Sequence, residues 1–140
     1  MSAAIVLASA IALLGRSPGS LPSIILIDKP PWPVSARAEG FVHRNPDRIY
    51  LITSTDAFAG AQRGSSQALR KIASIIVHEE WHLMHGPDEE GAYLAQLRAL
   101  ASLGLGPDSR VADTVRLSMV AAVDAQRRAA RRPARPAARR

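Results

Sequence analysis

Between Gln67 and His85 the chain runs without a glycine or a proline, and the middle of that stretch, Ile72-Ala73-Ser74-Ile75-Ile76-Val77, is apolar almost all the way round a helical wheel. A helix with no polar face is a buried one, so the rest of a small domain has to be arranged around it. Gly64-Ser65-Ser66 supplies a capping signal ahead of it, and Gly86-Pro87 ends it, since glycine suits the left-handed position past a helix end and proline cannot continue the ladder.

The flanking segments fix the fold class. Ala3 to Leu14 reads as an apolar first helix, closed by the breaker Ser17-Pro18-Gly19-Ser20. Ile24-Ile25-Leu26-Ile27 reads as a buried strand, and Ala38–His43 and Ile49–Thr53 as a hairpin across Arg44-Asn45-Pro46-Asp47, where Asn-Pro-Asp is turn chemistry. After the central helix, two further helices are expected. The first runs over about Asp88–Leu103 with Leu94, Leu97 and Leu100 on one face, and the second over about Asp108–Arg128 with Val111, Val115 and Val123 at helical spacing. Helix, three strands, then three helices is an α+β arrangement: a small sheet packed on a central helix, in one domain over residues 1–128.

Charge and composition narrow the function. The net charge of +6 is carried by Arg127, Arg128, Arg131, Arg132, Arg135, Arg139 and Arg140; without these seven the remainder stands at −1. The Arg/Ala/Pro-rich segment 129–140 is expected to be a flexible tail, and a solvated extension is preferred to a specific nucleic-acid contact. With no cysteine, disulfides and thiolate-ligated metals are excluded, so any metal site uses His, Asp or Glu. The apolar N-terminus is shorter than the about 20 residues a spanning helix needs. It also has no basic residue ahead of it, so a buried helix is preferred to a secretion signal and no membrane anchor is expected.

His78-Glu79-Glu80-Trp81-His82 fits H-E-x-x-H and falls within the central helix. Residues four apart on a helix lie about 5–6 Å from one another on one face, so both imidazoles can reach one ion. Glu79, beside the first ligand, is placed to take a proton from a metal-activated water. Two imidazoles and a carboxylate suit zinc, with a fourth position left open. The third ligand is sought in Asp88-Glu89-Glu90, since Gly86-Pro87 lets the chain turn back towards the open face. His85 lies about 10.5 Å further along the axis than His78, so it cannot share the ion. Tyr93 is either a substrate-facing group or a packing residue; Trp81 and Met119 read as core; His43 and Asp56 show nothing above background.

Ile75 through Met84 resembles the active-site helix of the zincin metallopeptidases, and Ile49–Ser54 followed by Ile75–Tyr93 is similar to uncharacterised bacterial proteins with a zincin-like domain. Glu80 departs from the pattern, which usually has an uncharged residue there. The resemblance implies a minimal zincin-like peptidase domain with one zinc ion and a peptide or protein substrate. It also implies Glu89 as the ligand, because Glu89-x-x-Ala92 matches the spacing with which gluzincins present a glutamate from a second helix, and it implies Ile49–Thr53 as the strand that an extended substrate would pair with. Di-iron bundles need a second E-x-x-H, which this chain with its five glutamates lacks. Peptide deformylases need a cysteine ligand. The remaining alternative is a non-catalytic zincin-fold domain with a structural metal and a basic tail for a nucleic acid or acidic partner.

Overall fold

The computed structural model describes residues 1–133. Its elements are α1 (Ala3–Leu13), a 3-10 turn at Pro18–Ser20, β1 (Ser23–Ile27), β2 (Gly40–His43), β3 (Arg48–Ile52), α2 (Asp56–Gln62), α3 (Ser66–His85), α4 (Glu89–Ser102) and α5 (Arg110–Arg131). This is the expected α+β class. Each helix starts on a Ser, Thr or Asp whose side chain accepts from the amide three residues on: Ser2, Thr55, Ser65, Asp88 and Ser109. Such caps satisfy amides that no helix can satisfy for itself.

The sheet order is β1-β3-β2, with β3 parallel to β1 and antiparallel to β2. The hairpin forms at Arg44–Asp47, where Asn45 takes φ 62°, a left-handed value that asparagine tolerates. Ile49 and Leu51 of β3 point inwards to join Val6, Ala10, Phe58, Ile72, Ile75 and Ile76 in the main core. The apolar centre of α3 thus lies in the middle, touching α1, α2, α4, β2 and β3. A second cluster, Leu100, Leu105 and Val115, with Leu97 and Val111 against it, joins α4 to α5.

Four expectations need correction. Four helices follow the sheet rather than three, because α2 forms on the Thr55 cap; it is short and carries Gly60, a poor helix former, inside it. β1 is only partly buried, since it is a terminal strand. Leu94 is exposed; Ala92 and Gln96 take the buried positions, so the inward face of α4 is rotated from the leucine stripe. α5 continues through Arg131, into the segment expected to be flexible, and of that tail residues 134–140 lie outside the described residues. No helix among the described residues is long and apolar enough to cross a membrane.

Candidate metal centre

The turn of α3 that follows its apolar centre brings His78, Glu79 and His82 to the edge of the core, where they expose 7, 6 and 7% of their surface. Their ligand-type atoms all lie within 4.8 Å of one another, a His–Glu–His group close enough to hold a metal ion. The two rings stand 4.9 Å apart at 70°, the result of the i, i+4 spacing. His82 Nδ1 is 2.8 Å from the Gly86 carbonyl oxygen. A carbonyl only accepts, so in the neutral ring Nδ1 carries the hydrogen and Nε2 presents a bare lone pair. Gly86, at φ 99°, turns that carbonyl back on the last turn of the helix. His78 Nδ1 lies 2.9 Å from Gln96 Oε1, and its Nε2 also faces inwards.

Beyond the turn, the three acids have three different placements. Asp88 caps α4, accepting from the Gly91 amide at 3.3 Å. Glu90 points to solvent, 3.9 Å from Arg127. Glu89 turns inwards, with Oε1 3.0 Å from His82 Nε2 and Oε2 3.6 Å from His78 Nε2. Gln126 of α5 grips the turn, accepting from the Glu89 amide at 3.0 Å and donating to the Pro87 carbonyl at 2.7 Å. Gly91 permits the close crossing of α3 and α4, since a Cβ there would come within 2.2 Å of the Trp81 indole.

Two carboxylates therefore flank the imidazoles, and they are not equivalent. Glu79 Oε1 is 4.0 Å from His78 Nε2, further than either Glu89 contact. Successive residues on a helix diverge by about 100°, so Glu79 leans away from the shared face of His78 and His82. Burial pushes its carboxyl up to about 7; the imidazoles oppose the rise, and Glu89 and Glu39 add to it. Partial burial works against the Glu89 charge too, but the two imidazoles beside it outweigh that and hold the carboxyl at about 2. Burial likewise opposes charge on His82, yet its bonds to Glu89 and the Gly86 carbonyl raise it above its ordinary value. Burial, with Glu89 nearby, takes the Tyr93 hydroxyl up to about 12.

A groove of about 1070 Å³ opens over this group. One wall is the segment from Ser35 through Val42 to Arg44, which includes β2; the other is the small-residue face of α5, Ser118, Ala121, Ala122 and Ala125. This corrects the expected substrate strand. β3, which contains most of Ile49–Thr53, is central and has both edges paired, whereas β2 is terminal and borders the groove. Gly40 of β2 lies directly over Glu79: a Cβ there would sit 2.9 Å from the Tyr50 carbonyl oxygen and 3.2 Å from Glu79 Cγ. The backbone oxygen cannot swing aside, so Gly40→Ala should cost about 1–3 kcal/mol, as overpacking does. A thermal melt measures that cost, and an unchanged Tm would show that β2 and α3 are less closely seated. Arg44 ties the hairpin to the end of α3, donating to the His82 carbonyl at 2.7 Å.

The remaining sequence candidates fall into place around this group. Tyr93 packs edge-on against His78 with centroids 4.5 Å apart and borders the groove. Trp81 is half-buried and stacks on His85, which is exposed at the helix end and outside the site. Met119 is likewise half-buried, and His43 and Asp56 are not part of the groove lining. Glu80 points to the opposite side and is held bidentately by Arg16 at 2.6 and 2.8 Å, so the departure from the usual motif ties the segment after α1 to α3. Gln96, Gln126, Gly40 and Arg44 are the participants that sequence reasoning missed. Only Gln96 left a signal there, as a polar residue seven positions beyond Glu89 on the same helical face. No protein-family profile, curated protein or solved structure matches this chain.

Proposed function

We propose that the chain is a zinc-dependent peptidase of the zincin type, with His78, His82 and Glu89 as metal ligands and Glu79 as general base. The observation that carries this reading is the convergence of two Nε2 atoms and the Glu89 carboxylate on one point beneath an open groove, with a separate buried carboxylate beside it. The donor set of two imidazoles and one carboxylate fits zinc, and both imidazoles are oriented through Nδ1 as metal ligands ordinarily are. When bound, zinc would supply Lewis acidity, lowering the pKa of water and polarising a carbonyl.

The protein's own residues account for the other requirements of hydrolysis. Glu79, held under Gly40, takes the proton of the attacking water and can return it to the leaving amine. The free edge of β2 offers backbone groups to an extended chain, and the groove is at the upper end of the size of small-molecule pockets, which favours a peptide. A structural zinc site would be closed by four protein ligands, and a general base would have no use in it.

Elemental analysis of purified protein should give about one zinc per chain, and both His78→Ala and His82→Ala should lose it, as expected when a ligand is removed. The zinc-loaded protein should cleave members of a peptide library, and a chelator should stop it. Zinc retained in both histidine variants would place the metal elsewhere; zinc bound without any cleavage would favour the non-catalytic alternative.

A further inference from the structure

Gln96 is the least expected residue on α4. It exposes 3% of its surface, between Ala92 and Leu100, at a position where an apolar side chain would avoid the cost of burying an amide. Its partners explain it. Ser74, fully buried one turn before His78 on α3, donates its hydroxyl to the Lys71 carbonyl at 2.7 Å, a normal length for O–H···O. That donation uses the only hydrogen Ser74 has, so its oxygen can only accept from Gln96 Nε2, and the 3.2 Å separation is that of a long N–H···O bond. With the amide nitrogen committed to Ser74, Gln96 presents Oε1 to His78 Nδ1 at 2.9 Å. An amide oxygen accepts, so His78 carries a hydrogen on Nδ1, and in the neutral ring the lone pair is left on Nε2, towards Glu89 and His82.

We infer that Gln96, oriented by Ser74, is a positioning residue that sets the tautomer and aim of His78. The claim rests on the metal-site reading for its consequence, but not for its geometry. The three hydrogen bonds run in one direction, from His78 to Gln96 to Ser74 to the Lys71 carbonyl, and no described buried side-chain nitrogen or oxygen is left without a partner. Because the acceptor is a neutral amide rather than a carboxylate, His78 is oriented without gaining a negative neighbour on that side. His82 reaches the same state through a backbone carbonyl. Each imidazole thus has its Nδ1 held by a neutral acceptor, which leaves Nε2 as the atom that faces the site.

The test uses the full chain with Gln96→Leu, which fills the space without a polar atom, and Gln96→Glu, which restores an acceptor. Circular dichroism establishes that each is folded. In metal-free protein at alkaline pH, imidazole ¹⁵N shifts should show His78 in the Nδ1–H form in wild type, mainly Nε2–H in Gln96→Leu, and Nδ1–H again in Gln96→Glu. Zinc affinity by chelator competition should fall about 10–100-fold in Gln96→Leu, the usual loss for an outer partner of a metal ligand, and the visible spectrum of the cobalt-substituted protein should change. Ser74→Ala, which frees the amide to turn over, should give a mixture of tautomers with the fold intact. Wild-type His78 in the Nε2–H form, or a Gln96→Leu variant that keeps the Nδ1–H form and binds zinc within about twofold of wild type, would overturn the inference. If wild type binds no zinc but the tautomer follows Gln96 as described, the positioning stands and the metal reading alone fails.

Discussion

Glu79→Gln should leave zinc binding within a small factor of wild type and lower peptide hydrolysis by about 10²–10⁴, the usual contribution of a general base. The amide keeps the size of the carboxylate and fits under Gly40, which has no Cβ to press on Glu79 Cγ and Oε1. It can still hold a water by hydrogen bonding, but it cannot accept the proton. The same variant decides between the two roles open to a carboxylate 4.0 Å from His78 Nε2. As a base, Glu79 matters to the rate and little to the metal. As a fourth ligand closing a structural site, it would matter to the metal, and Glu79→Gln would lose zinc as severely as a histidine variant. Zinc content and turnover measured on one preparation separate these outcomes. Cleavage at the wild-type rate would remove Glu79 from the chemistry altogether.

Much of this arrangement is legible in the residues themselves, because it is encoded locally. The central helix, its Ser65 cap and its stop at Gly86 follow from one uninterrupted apolar stretch bounded by glycine. The convergence of His78 and His82 follows from helical spacing alone, and the hairpin from Asn45-Pro46-Asp47. What escaped depends on contacts between segments far apart in the chain. The order β1-β3-β2 is not written in any one strand, so the edge that borders the groove was assigned to Ile49–Thr53 rather than to Gly40–His43. Gly40 is one more position of the expected Ala38–His43 strand until Glu79 is seen beneath it. Gln96 breaks an apolar face for no local reason, and its role appears only when Ser74 and His78 of α3 are opposite. Glu80 seemed to weaken the motif, yet it faces away from the groove and binds Arg16.

Loss of Glu89 should cost more zinc affinity than the about 10–100-fold expected for an outer partner such as Gln96, and it should do so without unfolding α4. The three acids after Gly86 have separable tasks, so three alanine variants make an internally controlled set. Asp88→Ala removes the cap that accepts from the Gly91 amide, so it should lower stability by about 0.5–2 kcal/mol while zinc still binds. Glu90→Ala removes only an exposed contact with Arg127 at 3.9 Å and should change neither property measurably. Glu89→Ala keeps the backbone bond from its amide to Gln126 and the Gln126 grip on Pro87, so the turn has no reason to open. It takes away the carboxylate whose two oxygens lie 3.0 and 3.6 Å from His82 and His78 Nε2. Two imidazoles alone leave zinc short of the three protein ligands typical of catalytic sites. Chelator competition and thermal melts on all three variants read the two properties independently. If Glu89→Ala holds zinc as tightly as wild type while Asp88→Ala releases it, the ligand is Asp88, and the inward turn of Glu89 serves only to pair the histidines in the metal-free protein.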